Sequence, residues 1–278
     1  MKILKKVKQI YQLQYQQQFP GLKGVNIFAS EYPVEPFLVF TEFYMDRQVF
    51  GPHPHAGISV MTYLLPDSKE SFINRDSNGD FSIIDPGGLH ITQAGRGIHH
   101  DEFPKTSGTE THGFQIWINH SAEKRMVEPM AIHAMAAEIP EVVTADYKVR
   151  VLHGSFGNVS PSYKMVTPVT LLHVSLPSGK SIPLDADEMA FCYVLNGQGK
   201  SGGDSLNAQM LVTYDTEGNS IAVEASGSGL EFMFGTGKPL KEQITYGGPF
   251  VMTTPEQMAA TKKSHALGKM GSLLPYSQ

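Results

Sequence analysis

Apolar residues in this chain fall into short runs about ten residues apart, alternating with polar residues and broken by Gly, Asn and Asp. GVNIFAS (24–30), PFLVFTEF (36–43), ISVMTYLL (58–65), FSIIDPG (81–87) and GFQIWINH (113–120) form one series. KVRVLHG (148–154), TLLHVSL (170–176), MAFCYVLNG (189–197), AQMLVTY (208–214), SIAVEA (220–225) and LEFMFGTG (230–237) form a second. Short alternating runs with turn residues at this spacing predict an all-β fold of antiparallel sandwiches or barrels. Helix signals are sparse. MVEPMAIHAMAAEIPE (126–141) contains helix formers but is hemmed in by Pro129 and Pro140. TPEQMAATKK (254–263) is the better candidate, with Thr254 as N-cap and Pro255 in the first helical position.

The two series are separated by HAMAAEIPEVVTADYK (133–148). The division expected is a domain over residues 1–135, a linker over 136–148 and a second domain over 149–278. The Gly/Ser stretch GQGKSGGDS (197–205) reads as a hairpin loop and not as a phosphate-binding glycine loop.

Composition narrows the field. An apolar content of 41% over 278 residues fills proper cores, and 27 Gly with 18 Pro supply many turns. The net charge of −5 and the absence of any basic run beyond Lys5-Lys6 and Lys262-Lys263 argue against a nucleic-acid surface. No window is long and apolar enough for a membrane helix, and the basic N-terminus lacks the apolar core of a signal peptide, so the expected compartment is the cytoplasm. The single cysteine, Cys192, excludes an intrachain disulfide; inside MAFCYVL it reads as a buried, inert thiol.

The chemistry is concentrated in two short pairs. His53-Pro54-His55 and, 45 residues after His55, His100-Asp101-Glu102 each place candidate ligands two residues apart. Residues at that spacing on a strand share a face, so His53, His55, His100 and Glu102 can converge in one cavity. Three imidazoles and a carboxylate suit a first-row ion such as Fe(II), Mn(II), Ni(II), Cu(II) or Zn(II) and leave positions open for a reactive ligand. His99 and Asp101 alternate away from the cavity, unless a bulge shifts the phase and brings His99 in. Arg96, between Gly95 and Gly97, is expected to bridge loops. Asp185 and Asp187 read as solvated loop acids, and His173 as a packed or hydrogen-bonded strand residue.

The succession HPHAG, TYLL, RDS, PGG, AGRGIHHDE, HGFQIWIN, MVEP and GPFVM closely resembles the pirin family of the cupin superfamily. The resemblance runs from about residue 37 to 258 and is densest over 51–129. It implies a bicupin, two antiparallel β-barrel (jelly-roll) domains facing each other. It also implies Fe(II) in the N-terminal barrel, held by the residues matching His53, His55, His100 and Glu102, and no metal in the second barrel. Some pirins are linked to quercetin 2,3-dioxygenase activity. The resemblance therefore suggests a flavonol-like aromatic substrate and O2, with Glu102 as ligand or catalytic base, and Zn, Mn, Ni or Cu as alternative ions. The rival it implies is a non-enzymatic, redox-sensing regulator that binds a protein partner, a transcription factor or a metabolic enzyme. Neither reading involves direct nucleic-acid or membrane binding. Three positions depart from the family pattern: Gly88 where an acidic residue is usual, His90 in place of Gln, and His99 in place of an apolar residue.

Overall fold

The computed structural model describes residues 2–276, almost entirely in antiparallel strands. The chain divides into two compact units whose boundaries are interleaved in sequence. One comprises 15–28, 37–137 and 240–278; the other comprises 1–14, 29–36 and 138–239. We call them the N-terminal and C-terminal units after their largest segments.

In the N-terminal unit a seven-stranded sheet runs in the order Met130–Ala134, Leu89–Gln93, Ile58–Leu64, Thr111–Asn119, Phe37–Met45, Leu22–Phe28, Gln16–Phe19. A four-stranded sheet has the order His53–His55, Ile98–Pro104, Phe72–Asp76, Phe81–Ile84. Phe43, Met45 and Leu64 from the first sheet meet Phe72 and Ile84 from the second in an apolar cluster. The sequence thus folds as a jelly roll, because most strands carry apolar residues that need a facing layer to leave water.

The C-terminal unit is built on one nine-stranded antiparallel sheet whose core includes Val149, Val151, Leu172, Val174, Ile182, Leu184, Cys192, Val212, Phe232 and Phe234. Cys192 is fully buried, with its thiol pushed up to about 12 by desolvation, consistent with an inert side chain. The glycine-rich stretch is a hairpin: Met189–Ser201 pairs with Asp204–Asn207 across Gly202-Gly203, both at positive φ.

The observed units differ from contiguous halves at 1–135 and 149–278. Strand Val7–Gln12 pairs with Met210–Tyr214 and belongs to the C-terminal unit. Residues 240–278 belong to the N-terminal unit, where Phe250, Met252, Met258 and Met270 cluster with Ala56. The expected linker is also structured, since Glu141–Val143 adds an edge strand to Lys148–His153. Met1, Ser277 and Gln278, at the ends of the expected domains, lie outside the described residues.

The weak helix candidate over 126–141 forms the edge strand Met130–Ala134 and a single 3-10 turn, Ala136–Glu138. The stronger one forms helix Pro255–Ala266, the only α-helix among the described residues. Its capping box is complete: Thr254 Oγ1 accepts from the Gln257 backbone N–H, and the Gln257 side chain accepts from the Thr254 N–H. No helix among the described residues is long and apolar enough to cross a membrane.

Candidate metal centre

His53-Pro54-His55 forms a three-residue edge strand that pairs with Ile98–Pro104. Pro54 has no N–H to donate, which an edge position tolerates. The antiparallel register sets His100 opposite His53 and Ile98 opposite His55. The two-residue alternation therefore delivers three imidazoles to one place. His53, His55 and His100 present ligand nitrogens all within 4.8 Å of one another. Their ring centroids are 4.7 Å (His53–His100), 4.9 Å (His53–His55) and 4.9 Å (His55–His100) apart. That near-equilateral triangle is what three cis donors to a single ion require.

The tautomers follow from the partners. His53 Nδ1 lies 2.9 Å from the Gly51 carbonyl, and His55 Nδ1 lies 3.2 Å from the Pro249 carbonyl. A carbonyl can only accept, so both protons sit on Nδ1 and both Nε2 lone pairs are free to ligate. His100 Nδ1 contacts Thr92 Oγ1 at 3.5 Å, while its Nε2 is buried without a hydrogen-bond partner. Burial drives all three imidazoles toward the neutral form: His53 is lowered, His55 falls to about 3, and His100 lies well below its usual value. Neutral imidazoles around an orphaned nitrogen fit a bound cation and would otherwise cost desolvation energy.

Glu102 shares the inner face of the strand with His100 but is not part of the three-histidine cluster. Its carboxylate accepts from Thr62 Oγ1 at 2.5 Å and from Gln115 Nε2 at 2.6 Å, both on the opposite sheet. Desolvation raises its pKa to about 7, against the lowering effect of those two hydrogen bonds. Trp117 packs its indole edge-on to His55, with centroids 4.8 Å apart. Asn74, opposite Glu102 on the neighbouring strand, contacts His90 Nε2 through its amide at 2.9 Å, so the unusual His90 belongs to a buried polar cluster that adjoins Glu102.

The residues flanking the three histidines have structural roles. Asp101 is fully buried, away from the cavity, and forms a two-pronged ion pair with Arg75. Arg96 bridges to the Glu128 carboxylate, an exposed loop-to-loop contact. Gly57, at φ +81, closes the HPHAG turn; a Cβ there would lie 1.9 Å from the Val251 carbonyl oxygen. Arg125 is fully buried and holds that turn against the C-terminal segment through Gly57 O, Val251 O and Thr253 Oγ1. Sequence reasoning missed Thr62, Gln115, Trp117, Arg125 and the Pro249 carbonyl. Thr62 lies in the TYLL element, Gln115 and Trp117 in HGFQIWIN and Pro249 in GPFVM, but nothing local to these elements indicated the contacts, and that of Pro249 with His55 spans 194 residues.

The pirin family model matches residues 13–118, and the model for the pirin C-terminal cupin domain matches residues 171–271. The chain belongs to the pirin family. A pirin-like protein of Arabidopsis thaliana is 32% identical over 271 residues, covering 92% of this chain and 86% of that protein. Human pirin is 32% identical over 234 residues, covering 81% and 79%. Among solved structures, a quercetin 2,3-dioxygenase from Acinetobacter baumannii superposes with a TM-score of 0.88 at 23% identity, covering 98% of this chain and all of that one. A bacterial pirin from Escherichia coli, solved in complex with nickel(II), gives 0.64 at 21% identity, covering 86% of this chain and all of that one. These structural likenesses establish the bicupin fold.

Proposed function

We propose that this pirin binds one divalent first-row ion, Fe(II) in the cell, through His53, His55 and His100 with Glu102 as fourth donor. We further propose that it opens the ring of a flavonol-like substrate with O2, as quercetin 2,3-dioxygenase does. The observation that carries the reading is the buried, partnerless Nε2 of His100 facing two further neutral imidazoles. An ion there would supply Lewis acidity and a site for O2. The protein supplies the rest. The Gly51 and Pro249 carbonyls hold the His53 and His55 rings in the ligating tautomer. Glu102, buried beside the histidines with Thr62 and Gln115 fixing its orientation, is suited to accept the substrate's hydroxyl proton. Trp117 adds an aromatic surface beside His55.

The test is aerobic incubation of iron-loaded protein with flavonols, following loss of the flavonol, uptake of one O2 per turnover and release of carbon monoxide. The expected result is turnover by native protein and a loss of about a hundredfold or more in Glu102→Gln, the range for removing a positioned acid–base group. Unchanged turnover in Glu102→Gln would remove Glu102 from the reaction. Tight iron binding with no flavonol consumed in any metal form would refute the dioxygenase reading and favour the regulator, whose protein partner would then be sought by capture with the Fe(II) and Fe(III) forms.

A further inference from the structure

The metal-bearing strand carries a second histidine that the centre described above does not use. His99 precedes His100, so its side chain leaves the opposite face of the strand. There it meets His265, near the end of helix Pro255–Ala266: the two Nε2 atoms are 3.2 Å apart, with ring centroids at 5.1 Å and planes inclined by 32°. Both rings are half-buried. His99 Nδ1 lies 3.4 Å from the Met270 carbonyl, which can only accept, so its proton sits on Nδ1 and its Nε2 offers a lone pair. Ser77 fixes the surroundings, accepting from the His99 backbone N–H at 3.2 Å and donating to the Met270 carbonyl at 2.8 Å. The His265 ring is positioned by an edge contact with Phe250, with centroids 5.6 Å apart.

We propose that His99 and His265 form a second site for a divalent first-row ion, distinct from the His53/His55/His100 centre and completed by water. Cis donors each about 2.0–2.1 Å from one ion lie roughly 3.0–3.4 Å from each other, so the nitrogens already have the required separation. Without an ion, His265 Nε2–H donates to the His99 lone pair. With one, the His265 proton moves to its other nitrogen and both Nε2 atoms ligate. Two imidazoles and water favour Cu(II), Zn(II) or Ni(II) over harder ions. Lys262, Lys263 and Lys269 stand nearby in sequence and oppose a cation, which makes this the weaker of the two sites. Occupancy ties the C-terminal helix, whose segment also supplies the Pro249 carbonyl to His55, to the strand carrying His100.

The experiment is equilibrium dialysis of full-length, untagged protein carrying its resident ion against Zn(II), with elemental analysis of protein-bound metal. Native protein should take up one further equivalent of zinc, while His265→Ala and His265→Gln should take up none and keep the resident ion. Cu(II) added in place of zinc should show two equatorial nitrogen couplings by electron paramagnetic resonance in native protein, lost in both variants. Absence of extra zinc in native protein, or retention of the extra equivalent in both His265 variants, would overturn the proposal.

Discussion

The strand pair that carries the histidines has a counterpart in the C-terminal unit with the same register and opposite chemistry. In the N-terminal unit His53 faces His100 and His55 faces Ile98. In the C-terminal unit Ile182 faces Val223 and Leu184 faces Ile221. Each edge strand has a proline between its two inward residues, Pro54 in one and Pro183 in the other. Extended two residues along, Glu102 corresponds to Ala225. Ile182, Leu184, Ile221, Val223 and Ala225 all belong to the apolar core of the C-terminal unit. The jelly roll therefore does not need polar groups at these positions in order to fold. Where it keeps them, burying His55, His100 and Glu102, it bears a desolvation cost that an ion can offset. That contrast is the strongest structural reason to read the N-terminal pocket as functional.

The largest expected effect comes from removing ligands. The His55→Ala/His100→Ala double variant should lose essentially all resident metal by elemental analysis, because only one of the three clustered nitrogens remains. Full occupancy in that variant would break the comparison. On the other side, Leu184→Ala should cost about 2–5 kcal/mol in denaturant unfolding, the usual range for a fully buried leucine, with metal content unchanged. A loss of metal in Leu184→Ala would mean that the apolar counterpart contributes to the site after all.

A third test uses pH. In metal-free protein the folded state resists protonating His55 down to about pH 3, whereas the unfolded chain protonates near 6.5. The unfolded state therefore binds more protons in that window. The stability tied to His55 is complete above pH 6.5 and is lost as pH falls toward 3, by at most about 1.4 kcal/mol per pH unit. Urea unfolding at several pH values should show a shallower acid slope in His55→Leu than in native metal-free protein. Identical slopes would show that His55 is not held neutral by burial. The smallest effect is expected for Asp185→Ala, which removes an exposed ion pair with Lys2 and should stay within about 0.5 kcal/mol, with metal and turnover unchanged.

Much of this comparison was legible in the sequence. The convergence of His53, His55 and His100 follows from two-residue alternation, a local property of a strand, and the helix start at Thr254-Pro255 follows from local capping chemistry. The absence of His-x-His in SIPLD was equally visible, although its exact counterparts, Val223 and Ala225, needed the register. What sequence could not show are contacts between segments remote in the chain: residues 1–14 with the C-terminal unit, residues 240–278 with the N-terminal unit, and His265 beside His99. No periodicity encodes such pairings, because they depend on which edge strand and which apolar patch remain to be covered once the sheets have formed. His99 illustrates the point. Alternation correctly turned it out of the cavity but gave no sign of the histidine waiting on the other side.

One ion is expected among His53, His55 and His100, and none in the C-terminal counterpart. Crystals of protein carrying one equivalent of its resident metal, measured across that metal's absorption edge, test it directly. The expected result is a single anomalous peak bounded by the Nε2 atoms of His53, His55 and His100, with no peak beside Ile182, Leu184 and Val223. An empty histidine triangle, with the anomalous peak anywhere else in the chain, would contradict it.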